Sequence, residues 1–266
     1  ASGYRTRSIL AIPLMRPNGE CVGVLQLINH IVPGGAVGAF GDDDRTTIAS
    51  LASMAAVTIH NALLQDQLKE AQLDCIIRLS VAAEFRDDDT ADHIRRISQS
   101  SALIAAALGE NREFVERIQH ASPMHDVGKI GIPDAILQKP GPLTPAEREI
   151  VQTHPQIGAD ILGDPANELI AMARDVALTH HERFDGKGYP QGLSGERIPL
   201  SGRIVGLADV FDALVSKRCY KDPVPLEEGL AAIRCEEGKH FDPRVMKAFF
   251  SRADVVLAYY GDVWRS

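Results

Sequence analysis

The sequence predicts a mainly α-helical fold, preceded by a short α+β fragment and joined to it by a long linker helix. Three observations carry that expectation. Apolar residues alternate along two short runs within residues 8–28, around the turn Arg16-Pro17-Asn18-Gly19-Glu20. Within residues 48–76 they recur at helical spacing instead. Beyond about residue 75 the helical periodicity continues, with no sustained alternation, between loops rich in proline and glycine.

In the first run Ile9, Leu10, Ile12 and Leu14 face a second run over 22–28, so a hairpin is expected. A glycine-rich stretch, 33–41, then leads to Asp42-Asp43-Asp44, whose charge suits the N-terminus of a helix. Along that helix Ile48, Leu51, Ala52, Ala55, Ile59 and Ala62 keep one apolar face, which Asp66 and Lys69 interrupt before it resumes at Leu73 and Ile76. The interruption predicts a helical linker over 65–74. Either the linker is a solvated spacer, or the seam pairs two chains in parallel; the second is the preferred reading. Loops at 131–133, 139–142 and 185–199 divide the helices that follow.

A chain of 266 residues with 45% apolar composition buries a sizeable core in one large or two modest domains. No unbroken run of about 18 apolar residues occurs and no signal-peptide pattern opens the chain, so no membrane span and a cytoplasmic location are expected. The formal charge of −8 argues against DNA binding, which draws on an extended basic surface. Cys21, Cys75, Cys219 and Cys235 are scattered, with no C-x-x-C pair, and are expected to be unpaired, buried or inert thiols.

Seven of the nine histidines lie between residues 93 and 240, several beside aspartates. The candidates are Asp89 with His93, His125 with Asp126, His154, the pair His180-His181, and Asp209. Imidazole with carboxylate suits Fe, Mn, Ni or Zn, and the missing thiolates argue against a structural zinc site. Asp89 and His93, four apart, share a helix face and could reach one ion, although an aspartate near a helix start is commonly a cap. Adjacent histidines point about 100° apart on a helix, so His180 and His181 can serve one cluster only near a helix end. The glycines that follow provide that end.

The string 180–190, HHERFDGKGYP, matches H-H-E-x-x-D-G-x-G-Y-P, the signature of the HD-GYP family. The segments SPMHDVGKIGIPDAILQKPGPLTPAE, His154 with IGADIL, GRIVGLADVFDALVSKRCYK and GKHFDP extend the resemblance over roughly residues 75–252. Over residues 1–64, SILAIPL, GECVGVLQLIN, FGDDD and IASLASMAAVTIHNALL resemble the second half of a GAF sensory domain. The strands that would complete that domain are not present upstream, so the chain is expected to begin inside it. The resemblances imply an incomplete GAF-like part at 1–64, the linker, and a helical HD-type metallohydrolase domain at 75–266.

The HD-GYP resemblance implies metal ligation by His93, His125, Asp126, His154, His180, His181 and Asp209, with Asp126 bridging two ions, and phosphate contacts from Lys129, Arg218 and Lys221. Where many members of the family have Glu, four residues before the first histidine, this chain has Asp89, which leaves both a two-metal and a three-metal centre open. Cys219 stands where the family pattern has proline. The implied reaction is hydrolysis of cyclic di-GMP to pGpG or GMP by two or three divalent ions, Fe or Mn first, with Asp126 and Lys129 catalytic. Asp212, three residues after Asp209, is expected either to orient a ligand or to relay a proton. Tyr189 is expected to stack on a base or to pack its loop, and the G-Y-P loop is also linked to diguanylate cyclase (GGDEF) partners. Competing readings are a non-catalytic receptor or cyclase-binding scaffold, a phosphodiesterase for hybrid cyclic GMP-AMP, and an HD-type phosphohydrolase of mononucleotides.

Overall fold

The computed structural model describes residues 5–16, 18–84, 91–164, 167–216 and 224–259. The chain divides into two compact units, Ala1–Gln72 and Leu73–Ser266. In the first, β1 (Ile9–Met15) pairs antiparallel with β2 (Cys21–Ile28), with Ile12 opposite Leu25 and an irregularity between Leu14 and Met15. The turn closes as expected: Gly19 N–H donates to the Arg16 carbonyl at 2.9 Å, at a φ of 85° that glycine accepts freely. Short strands β3 (His30–Ile31) and β4 (Val37–Gly38) form a second antiparallel pair.

Helix α1 (Asp42–Glu84) runs 43 residues without a break. The stretch expected to be a helical linker, 65–74, is mostly Gln, Asp, Lys, Glu and Ala, which keep a helix going with little apolar surface to bury. Near its start Ala52 and Ala56 are buried against Leu14, flanked by Ile12, Val22 and Leu25. By length and composition alone α1 would be apolar enough to cross a membrane, since one 18-residue stretch has a mean hydropathy of 1.4. Its alanines account for part of that average, and two of them already pack on the hairpin. Cys21, Cys75 and Cys235 are unpaired and exposed, not buried.

The second unit is helical among its described residues. It takes in the end of α1, then α2 (Ala91–Leu108), α3 (Arg112–Ala121), α4 (Asp134–Leu137), α5 (Pro145–Val151), α6 (His154–Leu162), α7 (Glu168–Thr179), α8 (Leu200–Val215), α9 (Leu226–Cys235), α10 (Pro243–Ser251) and α11 (Ala253–Ala258). Their starts follow from sequence: Asn111 accepts from Phe114 N–H, Thr144 and Glu147 form a reciprocal capping box, and Asp242 accepts from Arg244 N–H. The core joins Ile97 and Ile104 of α2, Ile118 of α3, Val176 of α7, Ile204, Leu207 and Phe211 of α8, and Val245 and Phe249 of α10. These recur at helical spacing, so each helix turns one stripe inward. His93 lies four residues before Ile97, which puts it at the end of the buried stripe of α2.

Helix α8 crosses the end of α7 at very close range. A Cβ built on Gly206 would sit 2.5 Å from the His180 carbonyl oxygen, and one on Gly202 would sit 2.0 Å from Thr179 Oγ1. Only glycines permit that approach, and Asp209 lies one turn further along α8.

Candidate metal centre

Seven side chains from separate elements converge in the second unit. His93 comes from α2, and His125 and Asp126 follow a short 3-10 turn (Ser122–Met124); His154 opens α6, His180 caps α7 and precedes His181, and Asp209 lies on α8. Their ligand atoms form two groups, Asp126 with His154, His180 and His181, and His93 with His125 and Asp209, each within 4.8 Å. His180 sits where α7 ends, so both members of the histidine pair reach the cluster, their rings 4.0 Å apart.

Asp126 joins the groups. Its Oδ1 lies 3.0 Å from His154 Nε2 and 3.3 Å from His180 Nε2, and its Oδ2 lies 2.8 Å from Lys129 Nζ and 3.5 Å from His125 Nε2. Asp209 Oδ1 stands 3.9 Å from Nε2 of both His93 and His125.

The backbone fixes which nitrogen each histidine turns inward. Nδ1 of His125 meets the Ser122 carbonyl at 3.0 Å, that of His154 meets the Val151 carbonyl at 2.7 Å, and that of His180 lies 3.1 Å from the carbonyls of Val176 and Ala177. With Nδ1 donating outward, Nε2 presents its lone pair to the cluster, as ligand histidines require. For His125 and His181 the protonation states agree. Burial drives His125 down to about 4 against the pull of Asp126 and Asp209, and burial, with His180 beside it, holds His181 well below the ordinary imidazole range. For His180 burial is outweighed by Asp126 and Asp209, which raise it; for Asp126 burial is outweighed by Lys129 and the histidines, which keep it ionised. A buried, ionised carboxylate amid imidazoles turned inward by Nε2 is a donor set that fits divalent transition metals.

His93 is oriented by a side chain. Its Nδ1 donates to Asp212 Oδ2 at 2.7 Å, and Arg96 holds Asp212 from behind, Nε to Oδ1 at 2.6 Å and Nη2 to Oδ2 at 3.1 Å, while also donating to Ser216 Oγ at 3.0 Å. Asp212 is 1% exposed. Burial alone would raise its carboxyl, but His93 and Arg96 together depress it below the usual range. Both of its oxygens are engaged by His93 and Arg96, an arrangement that suits the first of its two expected roles, orienting a ligand. Arg96 and Ser216 had no part in the sequence reading. The available signal was a cation three residues after a candidate ligand, on a face that otherwise carries core residues.

Tyr189 stacks on His181, ring centroids 4.7 Å apart at 28°, and burial beside Asp126 and Asp209 raises its phenol. One face of its ring is therefore occupied by a histidine, where a stacked base was one of the two expectations. Lys129, expected on phosphate, is held at the cluster by Asp126. Asp89, Arg218, Cys219 and Lys221 lie outside the described residues.

Comparisons with known proteins bear on both units. The HD domain family matches residues 79–245 and the GAF domain family matches residues 1–59. A cyclic di-GMP phosphodiesterase of Thermotoga maritima is 49% identical over 182 residues, which cover 68% of this chain and 50% of that protein. The 3'3'-cGAMP-specific phosphodiesterase 2 of Vibrio cholerae is 39% identical over 202 residues, covering 76% of this chain and 39% of that protein. The chain thus spans half or less of the length of these two relatives. The crystal structure of a cyclic GMP-AMP specific phosphodiesterase of Vibrio cholerae, V-cGAP3, shares the fold with a TM-score of 0.53 at 20% identity, covering 68% of this chain and 48% of that one. The chain belongs to the HD domain family, and the string HHERFDGKGYP places it with the HD-GYP members.

Proposed function

We propose that this chain hydrolyses a phosphodiester bond of cyclic di-GMP, giving pGpG or GMP, at a centre of two or three divalent ions. The observation that carries the reading is the pair of His/Asp groups joined at Asp126 and flanked by the Lys129 ammonium. His154, His180 and His181 would hold one ion and His93, His125 and Asp209 the other, with Asp126 between them and Asp89 available to a third. Bound ions supply Lewis acidity toward phosphoryl oxygens and a water deprotonated near neutral pH.

The protein's own part is positional and electrostatic. Backbone carbonyls and Asp212 fix the histidine tautomers, and Asp126 anchors Lys129, whose charge offsets that developing on a non-bridging phosphate oxygen. Arg218 and Lys221 serve as further phosphate contacts. Imidazole and carboxylate ligands without thiolate favour Fe or Mn, with Ni or Zn also suited. A complete ligand set argues against a receptor that binds without turnover. The name of the 39% identical Vibrio cholerae relative supports hybrid cyclic GMP-AMP as the alternative substrate.

Two partner proposals accompany this reading. The apolar seam of α1 from Ile48 to Ile76, where Leu51 and Ile59 are exposed, would seat a second copy in parallel, and the G-Y-P loop would meet GGDEF domains. Light scattering of a monomer at micromolar concentration would contradict the first. Anaerobic purification, metal analysis and chromatography of products from several cyclic dinucleotides test the activity. The expected result is conversion of cyclic di-GMP in proportion to metal content, and turnover of only cyclic GMP-AMP would transfer the assignment to the alternative.

A further inference from the structure

We propose that Glu182 is a positioning residue of this centre, clipping the G-Y-P loop onto the ligand pair so that His181 stays at the Asp126 cluster. The proposal rests on the metal-centre reading above and assigns a role to a residue of the signature string that binds no ion itself.

Glu182 directly follows His181 and is 6% exposed. Its side chain turns away from the cluster and closes the loop: Oε1 accepts the Gln191 N–H at 2.7 Å and Oε2 accepts the Leu193 N–H at 3.0 Å. Two charge-assisted bonds from one buried carboxylate thus tie both sides of a span of about ten residues. Within that span the Tyr189 N–H returns to the His181 carbonyl at 3.3 Å, and the Tyr189 ring lies on the His181 ring. Contact is so close at Gly188 that an added Cβ would fall 2.5 Å from Glu182 Cα and 2.6 Å from the His181 carbonyl oxygen. The loop has no slack.

A second anchor gives the clip a fixed base. Phe184 N–H donates to the His240 carbonyl at 3.0 Å and Asp185 N–H to the Lys239 carbonyl at 2.7 Å, while Arg183 bridges Asp185 and Glu236. That turn is itself held to α8, because Arg203 pairs with buried Asp242. Thus the segment GKHFDP, which has no place in the chemistry, ties the loop to the helix that carries Asp209. Among the described residues, no backbone carbonyl meets His181 Nδ1 as carbonyls meet those of His125, His154 and His180; besides the rings of His154 and His180, its ring packs on Tyr189, which the loop holds in place.

Glu182→Gln keeps the volume and one acceptor but turns an amide N–H2 toward one of the two backbone donors. Mn2+ titrated calorimetrically into the metal-free full chain reads the consequence. The wild type should bind at least two ions, and Glu182→Gln should lose about 10- to 100-fold in affinity at one of them, the range expected when a group that orients a ligand is removed. In a His181→Ala background the same change should add nothing, because its effect passes through His181. Unchanged affinity in Glu182→Gln, or a loss that adds in full to that of His181→Ala, overturns the proposal. Amide exchange on the wild type decides the matter even if the variant does not fold: the Gln191 and Leu193 amides should be protected, and rapid exchange there would mean that the clip does not exist. A wild type that binds no metal defeats the metal-centre reading itself, whereas metal binding indifferent to Glu182 defeats only this inference.

Discussion

Replacing Asp212 by asparagine removes one charge from the buried network behind His93 while leaving side-chain volume nearly unchanged. Two effects follow, and they separate. First, Arg96 loses its counter-charge at 2.6 and 3.1 Å. Breaking a buried ion pair from one side costs about 3–5 kcal/mol, and because asparagine still offers one acceptor the lower figure is expected. For a unit of this size about 3 kcal/mol lowers Tm by about 6–12 °C. Second, an asparagine N–H2 facing His93 Nδ1 favours the tautomer with its proton on Nε2, which cannot ligate. Affinity at the site of His93, His125 and Asp209 should then fall about 10- to 100-fold. Adding Arg96→Met removes the cation that faced Asp212 and should restore part of the Tm but none of the metal affinity. Calorimetric titration and thermal unfolding of the metal-free chain check both. Metal affinity within about twofold of wild type in Asp212→Asn would refute the tautomer argument.

Asp126→Ala should abolish hydrolysis and strip at least one ion while leaving the helical circular dichroism intact, whereas Lys129→Ala should slow turnover with metal content retained; equal metal loss in the two variants would contradict their separate roles. Asp89→Ala should leave close to two ions per chain and let pGpG accumulate, and an unchanged metal content and product ratio would make the centre dinuclear. Away from the centre, Lys139 and the Thr144 cap hold the Glu147 carboxyl at about 2. A depressed folded value means that the contribution of this contact is complete above the ordinary range near 4.5 and is lost as pH falls toward 2. NMR titration of Glu147 should show the low midpoint and its rise in Lys139→Met.

Much of the centre was legible because its ligands sit in short local patterns. His180 beside His181 at a glycine-marked helix end, and His125 beside Asp126, are weak signals singly, and the HD-GYP resemblance turns them into a ligand set. The apolar stripes of α2 and α8 were readable from period. Asp212 and Arg96 were not, since their partnership spans 116 residues of sequence and no local rule pairs an aspartate on one helix with an arginine on another. The anchoring of the Glu182 loop by residues 236–242 was hidden for the same reason. The long linker helix was legible too, because Gln, Asp, Lys and Glu at 65–74 sustain a helix across the gap in its apolar face, and α1 runs through it.

Metal stoichiometry tests the two joined groups most directly. The full chain, purified anaerobically without chelator and measured by mass spectrometry of its metals, should carry two to three transition-metal ions. His181→Ala and His93→Ala should each remove one ion independently of the other. A wild-type chain that retains less than one ion, or two variants that lose the same ion, would contradict a centre built from two groups meeting at Asp126.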